Sequence, residues 1–372
     1  AVVLLAGCGH VVHGFDYAKP PCQPPDDSDP AKVEVRYLGS GGVAIRWRGD
    51  AILIGPSFSN PGALRARFLR GKTDEPRIER ALRRCGTDDV KAIFAGHSHY
   101  DHIGDLPVVC EKFVPAAPVF VNASGANILA GEPALSGRVH VLEEGKPVAV
   151  GTTMRVRAIR SGHAPQLCPW RFGVCRYGAG EVAEPWTTPM AKRRLSEQRG
   201  GQTFAFDIHL LGDDGATRFR IYYNDSAAGT PLGQTEGPFD LAILTMAQWS
   251  WVRDYPRDLL LTLRPRHVLA SHWDNFFRRD DDRWVFVPLL TDRSARRFLA
   301  IVEQYTGADG APVNPQLCGS HTPQWTMPVP GSSLLFNPAV KAEVTHETTD
   351  GDGGGDAVRS RERAGGEGVV RR

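Results

Sequence analysis

No run of the sequence reaches the roughly 18 consecutive apolar residues of a membrane-spanning helix. Charge of one sign is missing too: 44 Lys and Arg stand against 42 Asp and Glu in 372 residues, a formal net charge of +2. The basic clusters Ala191–Arg194, Arg264–Arg266 and Arg278–Arg279 are small and scattered, and the last runs into Asp280–Asp282. These features argue against a nucleic-acid partner. There is no solenoid-type repeat and no triad signature around a Ser or Cys nucleophile. What remains is ordinary for a globular chain, with 41% hydrophobic and 23% charged residues, enough for one large domain or two ordinary ones.

The two ends read differently from the middle. Ala1–Cys8 (AVVLLAGC) looks like the end of an apolar signal-peptide core, and Leu5-Ala-Gly-Cys8 resembles the bacterial lipobox. That reading predicts a lipid on Cys8, with the protein anchored to a membrane surface in the bacterial cell envelope, on its periplasmic or extracellular face. The alternative is a short buried strand. Residues 9–31 are dense in Pro and Asp and read as an extended tether. Residues 341–372 are polar and Gly-rich and read as a disordered tail, which leaves a folded domain over 32–340. Cys22, Cys85, Cys110, Cys168, Cys175 and Cys318 could form three bridges in an oxidising compartment, with Cys168 and Cys175 the nearest candidate pair. The alternative is six reduced thiols.

Within the domain, β-rich runs separated by Gly turns predict strands at Val33–Leu38, Val43–Trp47 and Ala51–Ile54. Further strands are expected at Ala92–Ala95, Val119–Asn122, Val139–Leu142, Met154–Ile159, Thr203–Leu211, Phe219–Tyr223, Leu241–Thr245 and His267–Ala270. Helical patterns cover Arg77–Arg84, Ala126–Ala130, Asp258–Leu263 and Asp292–Tyr305. Two packed sheets with helices outside would accommodate this order.

The stretch Phe94-Ala-Gly-His-Ser-His-Tyr-Asp-His-Ile-Gly104 crowds His97, His99, Asp101 and His102 into six positions. Side chains two apart on an extended strand end point the same way, so His97 and His99 can reach one ion. Asp101 and His102 open the following turn and can face a second. An imidazole-rich pocket with a carboxylate suits zinc, with manganese or iron as alternatives.

These four residues match the signature of the metallo-β-lactamase-fold hydrolases, and the resemblance extends over about residues 33–305. It implies an α/β layered αββα sandwich, two mixed sheets with external helices, holding two divalent metals. It further implies three downstream ligands, each just past a strand: His163 after Arg157–Gly162, Asp225 after Arg220–Asn224, and His272 after His267–Ser271. The first ion would take His97, His99, His163 and Asp225, and the second Asp101, His102, His272 and Asp225. His267 competes with His272 and is read as structural. One residue departs from the pattern: Gly55, in Ala51-Ile-Leu-Ile-Gly-Pro-Ser-Phe-Ser59, stands where the family carries an Asp that supports the metal loop.

The resemblance implies a dinuclear-metal hydrolase in which a metal-bridging hydroxide attacks an ester-type bond, with Asp101 and Asp225 as the catalytic carboxylates. Asp240–Trp249 and Ser271-His-Trp-Asp-Asn-Phe276 are similar to the branch containing N-acyl-phosphatidylethanolamine phospholipase D and ascorbate-phosphate lactonase. They favour a phosphodiester or a lactone, of a small molecule, a lipid or an envelope compound. The aromatics after His163 (Trp170, Phe172, Tyr177, Trp186) and the loop with Gln248, Trp249 and Trp251 form a candidate substrate rim. Trp170, Gln248 and Trp249 are the named substrate-binding candidates, and packing of the loops is the other reading. A catalytically silent metal- or ligand-binding lipoprotein is the alternative function, with Gly55 in its favour.

Overall fold

The computed structural model describes residues 31–60, 73–167, 174–175, 179–228, 235–276, 285–287, 290–306 and 325–338. Cys8, the tether, Cys22, Cys168, Trp170, Phe172, Tyr177, Cys318 and the C-terminal tail lie outside these residues.

β1 (Val33–Gly39), β2 (Gly42–Trp47) and β3 (Asp50–Ile54) form an antiparallel meander. β4 (Val90–Phe94), β5 (Val119–Val121) and β6 (Val139–Val141) add to it in parallel. Parallel neighbours need crossovers, and the helices supply them. α1 (Glu75–Cys85) precedes β4; α2 (Tyr100–Ile103) and α3 (Leu106–Lys112) precede β5; α4 (Ala123–Leu129) precedes β6.

The second sheet repeats this plan. β7 (Pro147–Val150) and β8 (Met154–Ser161) form a hairpin. The short pair β9 (Gln166–Leu167) and β10 (Val174–Cys175) stands apart. β11 (Thr203–Leu211) and β12 (Thr217–Asn224) extend the hairpin antiparallel. β13 (Phe239–Thr245), β14 (Pro265–Ser271) and β15 (Trp325–Thr326) then add in parallel. α5 (Arg257–Leu263) leads into β14, and α6 (Asp292–Tyr305) follows it. The last strand, β16 (Ser333–Phe336), returns to the first sheet beside β1. The orders are β16-β1-β2-β3-β4-β5-β6 and β15-β14-β13-β12-β11-β8-β7. This is the expected αββα sandwich of two mixed sheets.

The central strands β3 and β4 of the first sheet are largely apolar because both their faces are covered. Ile52, Ile54, Ala92 and Phe94 face the core between the sheets. Their alternates Ala51, Leu53, Ile93 and Ala95 face a second core with Ile78, Leu82, Val109 and Ile128 of the outer helices. Each large side chain buried this way contributes roughly 1.5–3 kcal/mol. The helices start where local chemistry favours it. Asp74 accepts from the Arg77 amide at α1, with Pro76 in the first turn, and Thr291 accepts from the Ser294 amide at α6.

The three-bridge expectation does not hold. Cys85 and Cys110 are free thiols buried in the second core. Burial raises the pKa of both, that of Cys110 to about 12.

Candidate metal centre

Four strands end on one edge of the sandwich. In the second sheet, Ser161 of β8 pairs with Thr203 at the start of β11, and Asn224 of β12 pairs with Ala205. Thr245 and Ser271 end β13 and β14 side by side. The first sheet is tied to this edge where the Phe204 amide donates to the Gly96 carbonyl at 2.8 Å. His163, Asp225 and His272 lie one or two residues beyond the ends of β8, β12 and β14, and His97 three beyond the end of β4, which is why residues 175 positions apart in sequence meet.

All seven expected ligands converge. His97, His99 and His163 form one group and Asp101, His102 and His272 another, and His97, His102 and Asp225 form a third that links the two. Within each group the donor atoms lie within 4.8 Å of one another. The link runs through Asp225: Oδ2 contacts His97 Nδ1, and Oδ1 lies 3.4 Å from His102 Nδ1. Asp101 Oδ2 stands 3.5 Å from His272 Nε2 and 3.7 Å from His102 Nε2.

The donor set fits a divalent metal. His163 Nδ1 donates to the Ala164 carbonyl at 2.7 Å, which leaves Nε2 as the lone-pair nitrogen, 3.3 Å from His97 Nε2. Two imidazole nitrogens facing each other at that distance suit a cation. Burial, then the neighbouring imidazoles, holds His97 below the ordinary imidazole pKa and His163 well below it. Both rings therefore offer neutral nitrogens. Burial opposes the charge of Asp225, yet His102 and His97 hold its carboxyl well below the usual range. Burial likewise opposes charge on His102, but Asp225 and Asp101 raise its pKa to about 9. Neither ring nitrogen of His102 makes a hydrogen bond, nor does His272 Nδ1, although all three are buried. Buried polar atoms in that state call for a ligand.

Several buried groups hold the ligands, and the sequence alone did not single them out. Tyr37 donates to Asp274 Oδ1, and the Ser40 amide donates to Asp274 Oδ2 at 3.0 Å. The His272 amide in turn donates to the Tyr37 hydroxyl at 3.0 Å. His272 itself adopts a left-handed backbone, φ 52°, a conformation uncommon for a residue with a side chain. Asn122 caps α4 and donates from Nδ2 to the Gly200 and Gln202 carbonyls, both at 2.6 Å. Asp105 accepts from the Phe58 and Ser59 amides at 2.6 and 2.8 Å and pins the segment after Gly55 against α2 and α3. Its burial raises its pKa despite those bonds.

The substrate-rim reading is corrected at Trp249. This side chain is buried, its indole N–H donates to Ser294 Oγ at 3.0 Å, and its ring packs edge-on against Phe298. It fastens the loop to α6. Gln248 is half-buried in a left-handed conformation just before it. Trp186 is buried in the second core, whereas Trp251 is 45% exposed. His267 is buried with Nε2 2.9 Å from Thr326 Oγ1 and packs on Phe336, away from the converging groups.

No curated protein matches the sequence. Among solved structures, Igni18, a metallo hydrolase from the hyperthermophilic archaeon Ignicoccus hospitalis, is 14% identical, with 82% of this chain and 98% of that one covered at a TM-score of 0.48. An isothiocyanate hydrolase from Delia radicum gut bacteria is 13% identical, with coverages of 81% and 98% and a TM-score of 0.45. CmlA, a diiron beta-hydroxylase from Streptomyces venezuelae, is 13% identical, with coverages of 82% and 54% and a TM-score of 0.48. The sequence profile of the beta-lactamase superfamily domain matches residues 50–273, a span that encloses all seven converging side chains. On that match, which covers more than half of its length, the chain belongs to the beta-lactamase superfamily.

Proposed function

We propose that the chain is a two-metal hydrolase of ester-type bonds, acting on a phosphodiester or a lactone of a lipid or envelope compound. The observation that carries this is the pair of ligand groups joined through one carboxylate, Asp225. Five imidazoles and two carboxylates favour zinc. Two such ions, when bound, acidify water and polarise the oxygen of the bond to be broken. The chain's own part is to hold and orient. Asp225 links the two groups, His163 is fixed through Ala164, and His272 through Tyr37. Asp101 Oδ2, beside His102 and His272, is placed to orient the attacking water and take its proton. Similarity of Asp240–Trp249 and Ser271–Phe276 to the phospholipase D and lactonase branch supports the bond type. The lipobox-like Leu5–Cys8 supports placement of the enzyme at the bacterial envelope, on a lipid anchor.

Metal content and turnover test the reading together. We expect two zinc per chain by elemental analysis, and hydrolysis of bis-p-nitrophenyl phosphate, a small lactone or a phospholipid diester that His99→Ala abolishes. Two bound metals with no turnover across that panel would support the silent binder instead.

A further inference from the structure

If Asp225 joins the two ligand groups, its carboxylate must stay turned with Oδ2 at His97 and Oδ1 toward His102. The Cβ–Cγ torsion of an aspartate is broad, so something must hold it. Tyr223 stands two residues earlier on β12, on the same face of the strand. It is fully buried and stacks on Phe206, with ring centroids 6.0 Å apart. Its hydroxyl lies 3.0 Å from Asp225 Oδ1 and 2.9 Å from the Gly41 carbonyl oxygen. A phenol has one hydrogen to donate, and the ionised carboxylate is the stronger of the two acceptors.

The room for that hydroxyl depends on the opposite sheet. Gly55, at the end of β3, has φ +55° and no side chain. A Cβ there would lie 3.1 Å from His102 Nδ1 and 3.8 Å from the Tyr223 hydroxyl, so a longer side chain would compete for the same space. We infer that Tyr223 is the positioning residue for the Asp225 carboxylate, and that Gly55 is the residue that makes room for it. The second sheet thus supplies from Tyr223 an orientation that position 55 of the first sheet does not.

This inference rests on the two-metal reading and deepens it. The test is competitive zinc titration of metal-stripped protein against a chelating dye. Tyr223→Phe removes one oxygen and keeps the ring. Its affinity for the second zinc equivalent should fall roughly ten- to a hundredfold, the usual cost of losing a group that orients a ligand. In the Tyr223→Phe background, Gly55→Asp should recover part of that loss, because Asp tolerates a left-handed backbone and its carboxylate can enter the vacated space. Metal-free Tyr223→Phe should unfold close to the wild-type temperature, which a merely structural role would not allow. Wild-type affinity for both equivalents in Tyr223→Phe overturns the assignment. So does a metal-free variant that is unfolded and not rescued in the double variant. Wild-type protein that takes up no zinc instead overturns the two-metal reading, and the positioning role with it.

Discussion

Gly96, just past the end of β4, lies against Asp225, just past the end of β12: a Cβ on residue 96 would stand 2.7 Å from Asp225 Cβ and 2.3 Å from the Phe204 carbonyl oxygen. The two sheets approach this closely only because residue 96 has no side chain. Gly96→Ala must push the strand ends apart, at a cost of about 1–3 kcal/mol for overpacking. The expected outcome is a folded protein with a lower thermal midpoint and less than two metals per chain. Calorimetry and elemental analysis on the same sample would check it.

Removing metal should cost stability as well as activity. A ligand present at a thousand times its dissociation constant adds about 4 kcal/mol to the native state. Chelation with EDTA should therefore lower the thermal midpoint by several degrees, and added zinc should restore it. Unchanged midpoints in both steps would argue that the imidazole groups hold nothing.

Asp274 is the next residue to change. It receives hydrogen bonds from Tyr37 and from the Ser40 amide, and Tyr37 in turn takes the His272 amide. Asp274→Asn keeps the shape but removes the charge that makes those bonds strong. A loss of about 1.5–3 kcal/mol is expected, together with weaker binding at the group that contains His272. Chemical denaturation and zinc titration give the two quantities separately.

A pH dependence follows from Asp207 on β11. Burial opposes its charge, but hydrogen bonds from His209, Arg220 and Arg157 hold its carboxyl below the usual range. A depressed carboxylate stabilises the fold above its unfolded pKa of about 3.9, and that contribution is lost as pH falls through the lower folded value. Asp207→Asn should therefore be less stable than wild type at neutral pH by about 2–3 kcal/mol. The gap should narrow below about pH 4. Urea unfolding at neutral and acid pH measures both.

Cys85 and Cys110 should resist modification. Both are buried, and burial pushes the Cys110 thiol up to about 12, so little thiolate forms at neutral pH. Peptide mapping after alkylation should find these two unlabelled in native protein and labelled only in denaturant. Mapping them to a disulfide would contradict the structure.

How much of this could be read from sequence depended on how local each signal was. His97–His102 is a contiguous motif, and the resemblance it carries points to His163, Asp225 and His272 from sequence alone. Long apolar runs such as Thr203–Leu211 declared their strands. β15 and β16, of two and four residues, are too short for a periodic signal, and β7 begins at a proline on a sheet edge. Trp249 looked like a rim aromatic because a tryptophan next to a turn has no local mark of burial; its partner Ser294 is 45 residues away. The Tyr37–Asp274 contact spans 237 positions. Its only sequence trace is an aspartate two residues after His272.

The pairing of Val33 with Phe336 places both ends of the described chain together at one rim of the first sheet. From there β1 runs seven residues to Gly39, beside Asp274, a rise of about 20 Å at the usual strand spacing. Anything attached ahead of residue 31 or beyond residue 338 thus pulls on the far end of the sandwich. The histidine-lined edge lies at the other end of β1, beside Asp274. A soluble fusion or affinity handle at either end should leave that edge open to incoming substrate.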